Sequence, residues 1–505
     1  MSERKDWIVY RENKPYVLNR FNSGRIDYAD LTEWSFLDKF FGFLLAHGFL
    51  EWAEGTYPNP RQRKNIPLWF LLAVMMQLRL HQKVAYSRAP GVLRSGSILT
   101  RVKFNIGLKD GGFNYRNKGE REVPVMHDTV RKYFRATGGE KLERWYNEEV
   151  SRWYRRKRGF LKEGVFILDP TYLVLPDNPN YRRAARMPLD EKGNIRSVRS
   201  LSEEERKRVK YGLCYQLVLL LHLSSRSDYF LFAGTHLGPG NESGLKEGER
   251  LVDDFCKSVG RGVIKLLIVD REYIDGAMIS RFKKKHGIDV LVPLKKNMDA
   301  FLDAMGLAKL PEARWRLYRE ERDRKKGELV KEEVMAVAGI TSWEGCDVPL
   351  YVVLVRETKG ENEMIWALVS TRQFRTPEQA REHYELRMQV EERIDQIKNC
   401  WLIGKFTSPN FNLDMAQVVF TVLVYSLLQM YLMREEMRDL AHKTIETLQQ
   451  EERLGKNAVL VYARGHFGIF DLDEFMDMTL SIEGEPKERL HRWVKKFRAE
   501  KIRAP

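Results

Sequence analysis

Cysteine is scarce in this chain. Cys214, Cys256, Cys346 and Cys400 are the only four in 505 residues, and no CxxC pair occurs. That excludes a disulfide framework and a zinc site built on paired cysteines, and it points to the reducing interior of a cell. Acidic side chains are also in deficit: 70 Asp and Glu face 86 Lys and Arg, giving a net charge of +16 and a pI of about 9.4. Such an excess favours a polyanionic partner, nucleic acid ahead of a membrane surface. The opening MSERKDWIVYRENK lacks the apolar stretch of a signal peptide, so none is expected. Long hydrophobic runs are nearly missing. The exception, Ala416–Met433, is interrupted by Gln417, Thr421, Ser426 and Gln429 and flanked by charged sequence. It is expected to be a helix buried in a soluble core, not a membrane span.

Apolar residues make up 43% of the chain, enough for a sizeable core and too many for a disordered protein. The length allows two to four domains. Charge is spread unevenly, for residues 1–160 hold 30 Lys and Arg against 17 Asp and Glu. Within them, Arg61–Thr100 carries seven basic residues and no acidic one, and Arg152–Arg158 reads RWYRRKR. Neutralising phosphates releases condensed counterions, so a basic cluster of this kind suits a DNA-binding region. Asn65–Leu80 reads as a buried supporting helix. HDTVRKYFRAT, His127–Thr137, turns Val130, Phe134 and Tyr133 inward and leaves Arg131, Lys132 and Arg135 outward, as a recognition helix of a helix-turn-helix would.

From Gly164 the pattern changes. GVFILDPTYLVLP is an apolar strand that presents Asp169; Tyr211–Leu223 and Asp228–Leu237 read as two further strands. A helix follows, then VIKLLIVDREY, a second buried strand ending in a carboxylate, Asp270. Another helix and the strand DVLVPLKK complete a mixed α/β sheet. Hard divalent cations take oxygen ligands in pairs or triads, so a third carboxylate is the next thing to seek. YELRMQVEERIDQIKN, Tyr384–Asn399, supplies one. At roughly 100° per residue, Tyr384, Arg387, Glu391 and Lys398 fall within about 60° on one helix face, with Asp395 beside them. Tyr, Arg and Lys around one Glu suit a metal ligand set among phosphate-binding donors.

The spacing Tyr384-(2)-Arg387-(3)-Glu391-(6)-Lys398 resembles the Y-(2)-R-(3)-E-(6)-K signature of bacterial and archaeal insertion-sequence transposases with a DDE triad. The aspartates of ILDPTY and VDREY precede it in the family's order. Glu272 stands where a small residue is commoner, and Pro170 follows the first aspartate. The resemblance spans about Gly164 to Tyr431. It implies a ribonuclease H-like fold in which Asp169, Asp270 and Glu391 hold two Mg²⁺ ions, with Mn²⁺ able to substitute. The reaction implied is cleavage at the element's terminal inverted repeats and transfer of the 3′-hydroxyl strands to target DNA by two-metal phosphoryl transfer. Tyr384, Arg387 and Lys398 would grip phosphates at the transposon end. The implied partners are double-stranded DNA and a second copy of the chain in a synaptic complex, in a cytoplasmic, nucleoid-associated setting. A nuclease without strand transfer, or a silent DNA-binding derivative, are the alternatives.

The domain organisation expected is therefore a helical, basic DNA-binding region over 1–160, a first core part over 161–300, a β-rich insertion over 301–372, a second core part over 373–433, and a helical C-terminal region over 434–505. In the insertion, Trp366 is either a packed core aromatic or, by the resemblance, a ring that stacks on a flipped base. Pro176–Lys210, with ten Lys and Arg including Arg182 and Arg183, is too long for a plain hairpin loop. It reads as a DNA-contacting excursion.

Overall fold

The computed structural model describes residues 11–26, 28–32, 36–61, 66–89, 125–191, 193–196, 202–322, 329–437, 440–445, 447–448, 458–464 and 466–481, with 488, 491, 492 and 495. The chain divides into two compact units, Met1–Thr137 with Lys443–Pro505, and Gly138–His442. Among the described residues it forms fourteen strands, β1 to β14 in chain order.

The first unit joins the two ends of the chain. β1 (Arg11–Glu12) and β2 (Tyr28–Thr32) flank a hairpin of β13 (Ala458–Ala463) and β14 (His466–Asp471) in the order β1-β14-β13-β2. Helices Lys14–Asn22 and Leu472–Ser481 cover it, with Val17, Phe21, Val459, Val461, Phe470 and Phe475 as the shared core. The helical reading of residues 434–505 therefore fails over 458–471, and that of 1–160 fails at β1 and β2. Runs such as AVLVYA are β-branched and aromatic, and partners more than 400 residues away turn that propensity into a sheet. The closing basic helix expected beyond Pro486 lies almost wholly outside the described residues. Helix Leu68–Leu80 is buried along its whole length, and His127–Thr137 buries Val130, Tyr133 and Phe134.

The second unit is built on a ten-stranded mixed sheet. β3 (Val165–Val174) runs parallel to β7 (Leu266–Val269), and β7 parallel to β8 (Asp289–Pro293). On the far side of β3 lies antiparallel β5 (Lys210–Leu223), which pairs β6 (Phe230–Pro239) over its second half and β4 (Ala185–Leu189) over its first. Beyond β8 the sheet continues antiparallel through β12 (Asn362–Ser370), β11 (Leu350–Lys359), β10 (Leu329–Ile340) and β9 (Arg316–Arg322). The excursion after Asp169 is thus partly sheet, because β4 extends the ladder of β5.

Among the described residues β6 has a strand on one side only, and its outer edge is closed by side chains. Tyr146 hydroxyl donates to Phe232 O at 2.7 Å, Ser151 hydroxyl to Ala233 O at 2.5 Å, and Asn147 makes both bonds to the Thr235 backbone at 2.9 Å. Phe232 N–H donates to Ser426 Oγ at 3.0 Å. A bare sheet edge would template unwanted pairing. Tyr146, Asn147 and Ser151 belong to the continuous helical run Gly139–Arg144, Trp145–Val150 (π-helical) and Ser151–Arg156. This run therefore belongs to the second unit, and the boundary expected at 160 falls at 137. Two of its basic residues are engaged too: Arg152 Nε donates to Ser258 O at 3.2 Å, and Arg155 donates to Val259 O, at the C-terminal end of helix Gly244–Ser258. There a cation meets the helix's free carbonyls.

Helix Phe411–Arg434 is long and apolar enough to cross a membrane, yet it is buried on every side within this unit. Most of its polar groups find partners: Gln417 donates to the Leu402, Ile403 and Lys405 carbonyls at 3.0–3.2 Å, Thr421 to Gln417 O at 2.7 Å, and Gln429 to Ala441 O at 2.9 Å. Asp414 is the exception in kind. It is 2% exposed, with the Tyr215 hydroxyl donating to it at 3.3 Å, and burial pushes its carboxyl up to about 8.

Candidate active site

Register brings the two strand-borne aspartates together. In the β3–β7 ladder Leu168 pairs with Val269, so Asp169 and Asp270 are the next residues on adjacent parallel strands and project to the same face. The ladder stops there, because the chain turns after Val269. Asp270 caps that turn, accepting from the Arg271 N–H. β3 continues beyond it paired to β5 alone, which is where Pro170, lacking an N–H, is tolerated. Gly248 lets helix Gly244–Ser258 close on both carriers: a Cβ there would lie 2.6 Å from Leu168 Cδ2 and 2.7 Å from Tyr273 Cε1.

The third carboxylate comes from helix Pro377–Asn399, which buries Leu386, Val390, Ile394 and Ile397 and turns its charged face to the strand ends. Arg387 is the centre of the cluster. Its guanidinium lies 3.2 Å from Asp169 Oδ1, 3.0 Å from Asp270 Oδ2 and 3.3 Å from Glu391 Oε1. Asp169 is buried, Asp270 partly so, and Glu391 is open to solvent. Burial pushes Asp169 up to about 6, although Arg387 pulls it down. Burial also lowers Lys398, against the opposing charges of Asp395 and Asp169. Asp169, Asp270, Arg387, Glu391 and Lys398 line one open cleft of about 330 Å³, together with Thr171, Tyr172, Glu272, Ile394 and Asp395.

Five of the residues expected from sequence thus converge. Tyr384 stands one turn before Arg387, its ring 6.1 Å from that of Trp366. Trp366 is half-buried; its Nε1 donates to Glu357 at 2.8 Å. Arg183 bonds Glu140 at 3.1 Å and lies over the Phe411 ring, and with Arg182 it lines a different, larger cleft. Arg131 and Lys132 pair with Asp128 at 2.7 and 2.6 Å, and Arg135 is exposed on the same helix of the other unit. Thr171, Tyr172 and Glu272 were not expected in the cleft. Two-residue alternation along β3 from Asp169 is the signal that could have found Thr171, whereas Glu272 lies in the turn Arg271–Tyr273 after the strand has ended.

The donor set around Arg387 is all oxygen and acidic, which fits a hard divalent cation such as Mg²⁺ or Mn²⁺. A different cluster in the same unit gathers around His236. Its Nδ1 lies 2.9 Å from Glu143 and its Nε2 3.0 Å from Glu242, with Glu247 at 3.6 Å, and Arg250 pairs with Glu247 at 2.6 Å. Burial opposes protonation of His236, but these carboxylates outweigh it and hold the ring charged up to about 9. It is an ion-pair network with its own cations.

No curated protein matches the chain. The family model described as a transposase DDE domain matches residues 161–427, a span that begins just before β3 and ends within the buried helix Phe411–Arg434. With that match covering more than half of its length and all three clustered carboxylates, the chain belongs to the family of DDE-domain transposases.

Proposed function

We propose that this transposase cleaves the ends of its own element and transfers the 3′-hydroxyl strands to target DNA, with Asp169, Asp270 and Glu391 as the reaction centre. The observation that carries the reading is the convergence of these three carboxylates on one guanidinium at the ends of neighbouring parallel strands. The order β6-β5-β3-β7-β8, with only β5 antiparallel to both its neighbours, supports a ribonuclease H-like core, and β9–β12 supports the β-rich insertion. Asp169, Asp270 and Glu391 would hold divalent cations, which supply Lewis-acid stabilisation of phosphoryl charge and activation of a water or hydroxyl. Lys398, at the cleft wall, would take one DNA phosphate, and Tyr384, about 21 Å earlier along the same helix, would grip another. Arg387 holds the carboxylates together and is placed to receive phosphate charge once they are otherwise neutralised.

Binding of the inverted repeats is assigned to the first unit, through Arg131, Lys132 and Arg135, with Arg182 and Arg183 as contacts of the second. A dimer would bring two ends together, in the cytoplasm at the nucleoid. The test uses purified protein, Mg²⁺ or Mn²⁺, and the DNA flanking its own gene. Cleavage at terminal inverted repeats followed by joining is expected. Asp169→Asn and Glu391→Gln should abolish both while leaving end binding intact. Cleavage without joining would make the protein a nuclease, and undiminished cleavage by either variant would refute the triad.

A further inference from the structure

The first half of the Glu391 helix is held to the β-rich insertion by a buried, charged knot. Glu332 on β10 is 3% exposed and Arg381 on the helix 8%. Arg381 Nε donates to Glu332 Oε1, its Nη2 reaches Oε2 at 3.5 Å, and its Nη1 lies 3.2 Å from Glu385. Arg319 on β9 bonds the same Glu332 at 3.1 Å, and the Tyr318 hydroxyl donates to Glu385 at 2.8 Å. The Arg381 guanidinium lies 5.5 Å from the Tyr318 ring and 5.3 Å from the Trp366 ring, so aromatics from two strands flank it. A buried ion pair of this kind adds little stability over an apolar pair of the same volume. What a forked guanidinium on a carboxylate does supply is direction.

We propose that Glu332 is a positioning residue for the reaction. Through Arg381 it fixes the rotation of helix Pro377–Asn399 about its axis, and so sets where Arg387 and Glu391 stand relative to Asp169 and Asp270. The inference rests on the reading above that these carboxylates are the reaction centre. Glu391 is ten residues beyond Arg381, about 15 Å along the helix. A side-chain tip lies roughly 6 Å from the axis, so a slip of about 20° carries its carboxylate ~2 Å sideways. Catalytic constellations tolerate about 0.5 Å, and about 1 Å of misplacement costs on the order of 100-fold in rate. A second anchor, Arg393 donating to Ala441 O at 2.7 Å, lies past Glu391. Glu391 therefore stands between two anchors, and the Glu332 knot is the one that also carries Tyr384 and Arg387.

The experiment compares full-length wild type with two variants on a duplex carrying the sequences that flank the gene. The double variant Glu332→Leu/Arg381→Met exchanges the ion pair for apolar groups. Glu332→Asp keeps the charge and shortens its reach by one methylene, and it decides the matter if the double variant does not fold. Thermal unfolding and DNA affinity should stay near wild type. Mn²⁺ affinity of the free protein should fall several-fold, and cleavage at saturating DNA and Mn²⁺ at least about tenfold. A stable variant with wild-type rate and Mn²⁺ affinity overturns the proposal, as does a rate loss that merely follows lost stability. Failure of the reaction-centre reading looks different, because Asp169→Asn would then cleave like wild type. In that case the proposal for Glu332 falls with the reading, whatever its own variants do.

Discussion

Replacing Arg387 by methionine should weaken the metal-free protein and sharpen its response to metal. The guanidinium touches Asp169 and Asp270 at 3.2 and 3.0 Å, both at least partly buried. At an effective dielectric of about 20, each contact is worth roughly 5 kcal/mol before desolvation. Removing one partner of such a cluster typically costs about 3–5 kcal/mol net. The variant has one escape, which is to protonate Asp169. That carboxyl already sits at about 6 with Arg387 beside it, and without the guanidinium it moves higher. An unfolded aspartate ionises near 4, so a raised native value means stability is lost as pH rises through the interval between the two. The deficit of Arg387→Met should therefore be small at pH 5, grow above pH 6, and reach about 3 kcal/mol at pH 8. In calorimetry that is a drop of roughly 5 °C in the midpoint of the second unit, Gly138–His442, whose unfolding entropy is about 0.6 kcal/mol/K. Mn²⁺ should then raise the variant's midpoint more than the wild type's, since no guanidinium competes for the same oxygens. Equal Mn²⁺ shifts in both proteins, or a deficit independent of pH, would refute the competition.

Two further changes probe the scaffold. Asp414 is held protonated up to about 8 by burial, so its unfolded form ionises first and the native state loses stability steadily from about pH 4 to pH 8. Asp414→Asn cannot ionise; its melting advantage over wild type should be near zero at pH 4 and largest above pH 8, and parallel curves would contradict the assignment. Gly248→Ala pushes a methyl into Leu168 and Tyr273, both fully buried beside the aspartate carriers. An overpacking cost of about 1–3 kcal/mol is expected, with a cleavage defect in the folded fraction, and unchanged unfolding and cleavage would show that the helix moves aside freely.

The site was legible because its parts are written locally. Each aspartate ends an apolar run, and the phase of one helix places Arg387, Glu391 and Lys398 together. The buried helix was legible as well, since its glutamines and hydroxyls interrupt an otherwise apolar run. Pairings between distant segments left no such mark. Nothing in REN or LVYA announces that the two chain ends share a sheet, because propensity does not name a partner. The basic run RWYRRKR was read as a DNA footprint, yet Arg152 and Arg155 spend their charge on carbonyls of the catalytic unit. Trp366 fell between its two readings, half-buried and flanked by Arg381 and Tyr384.

The side-chain seal along β6 leaves the sheet with a direction of growth. Four residues from two helices occupy the hydrogen-bonding groups that a further strand would need there. At the opposite limit β9 is paired, among the described residues, by β10 alone, and its side chains are mostly exposed. Added strands are admissible there and not at β6. Every strand of the insertion has entered on that side, from the chain between β8 and the helix bearing Glu391.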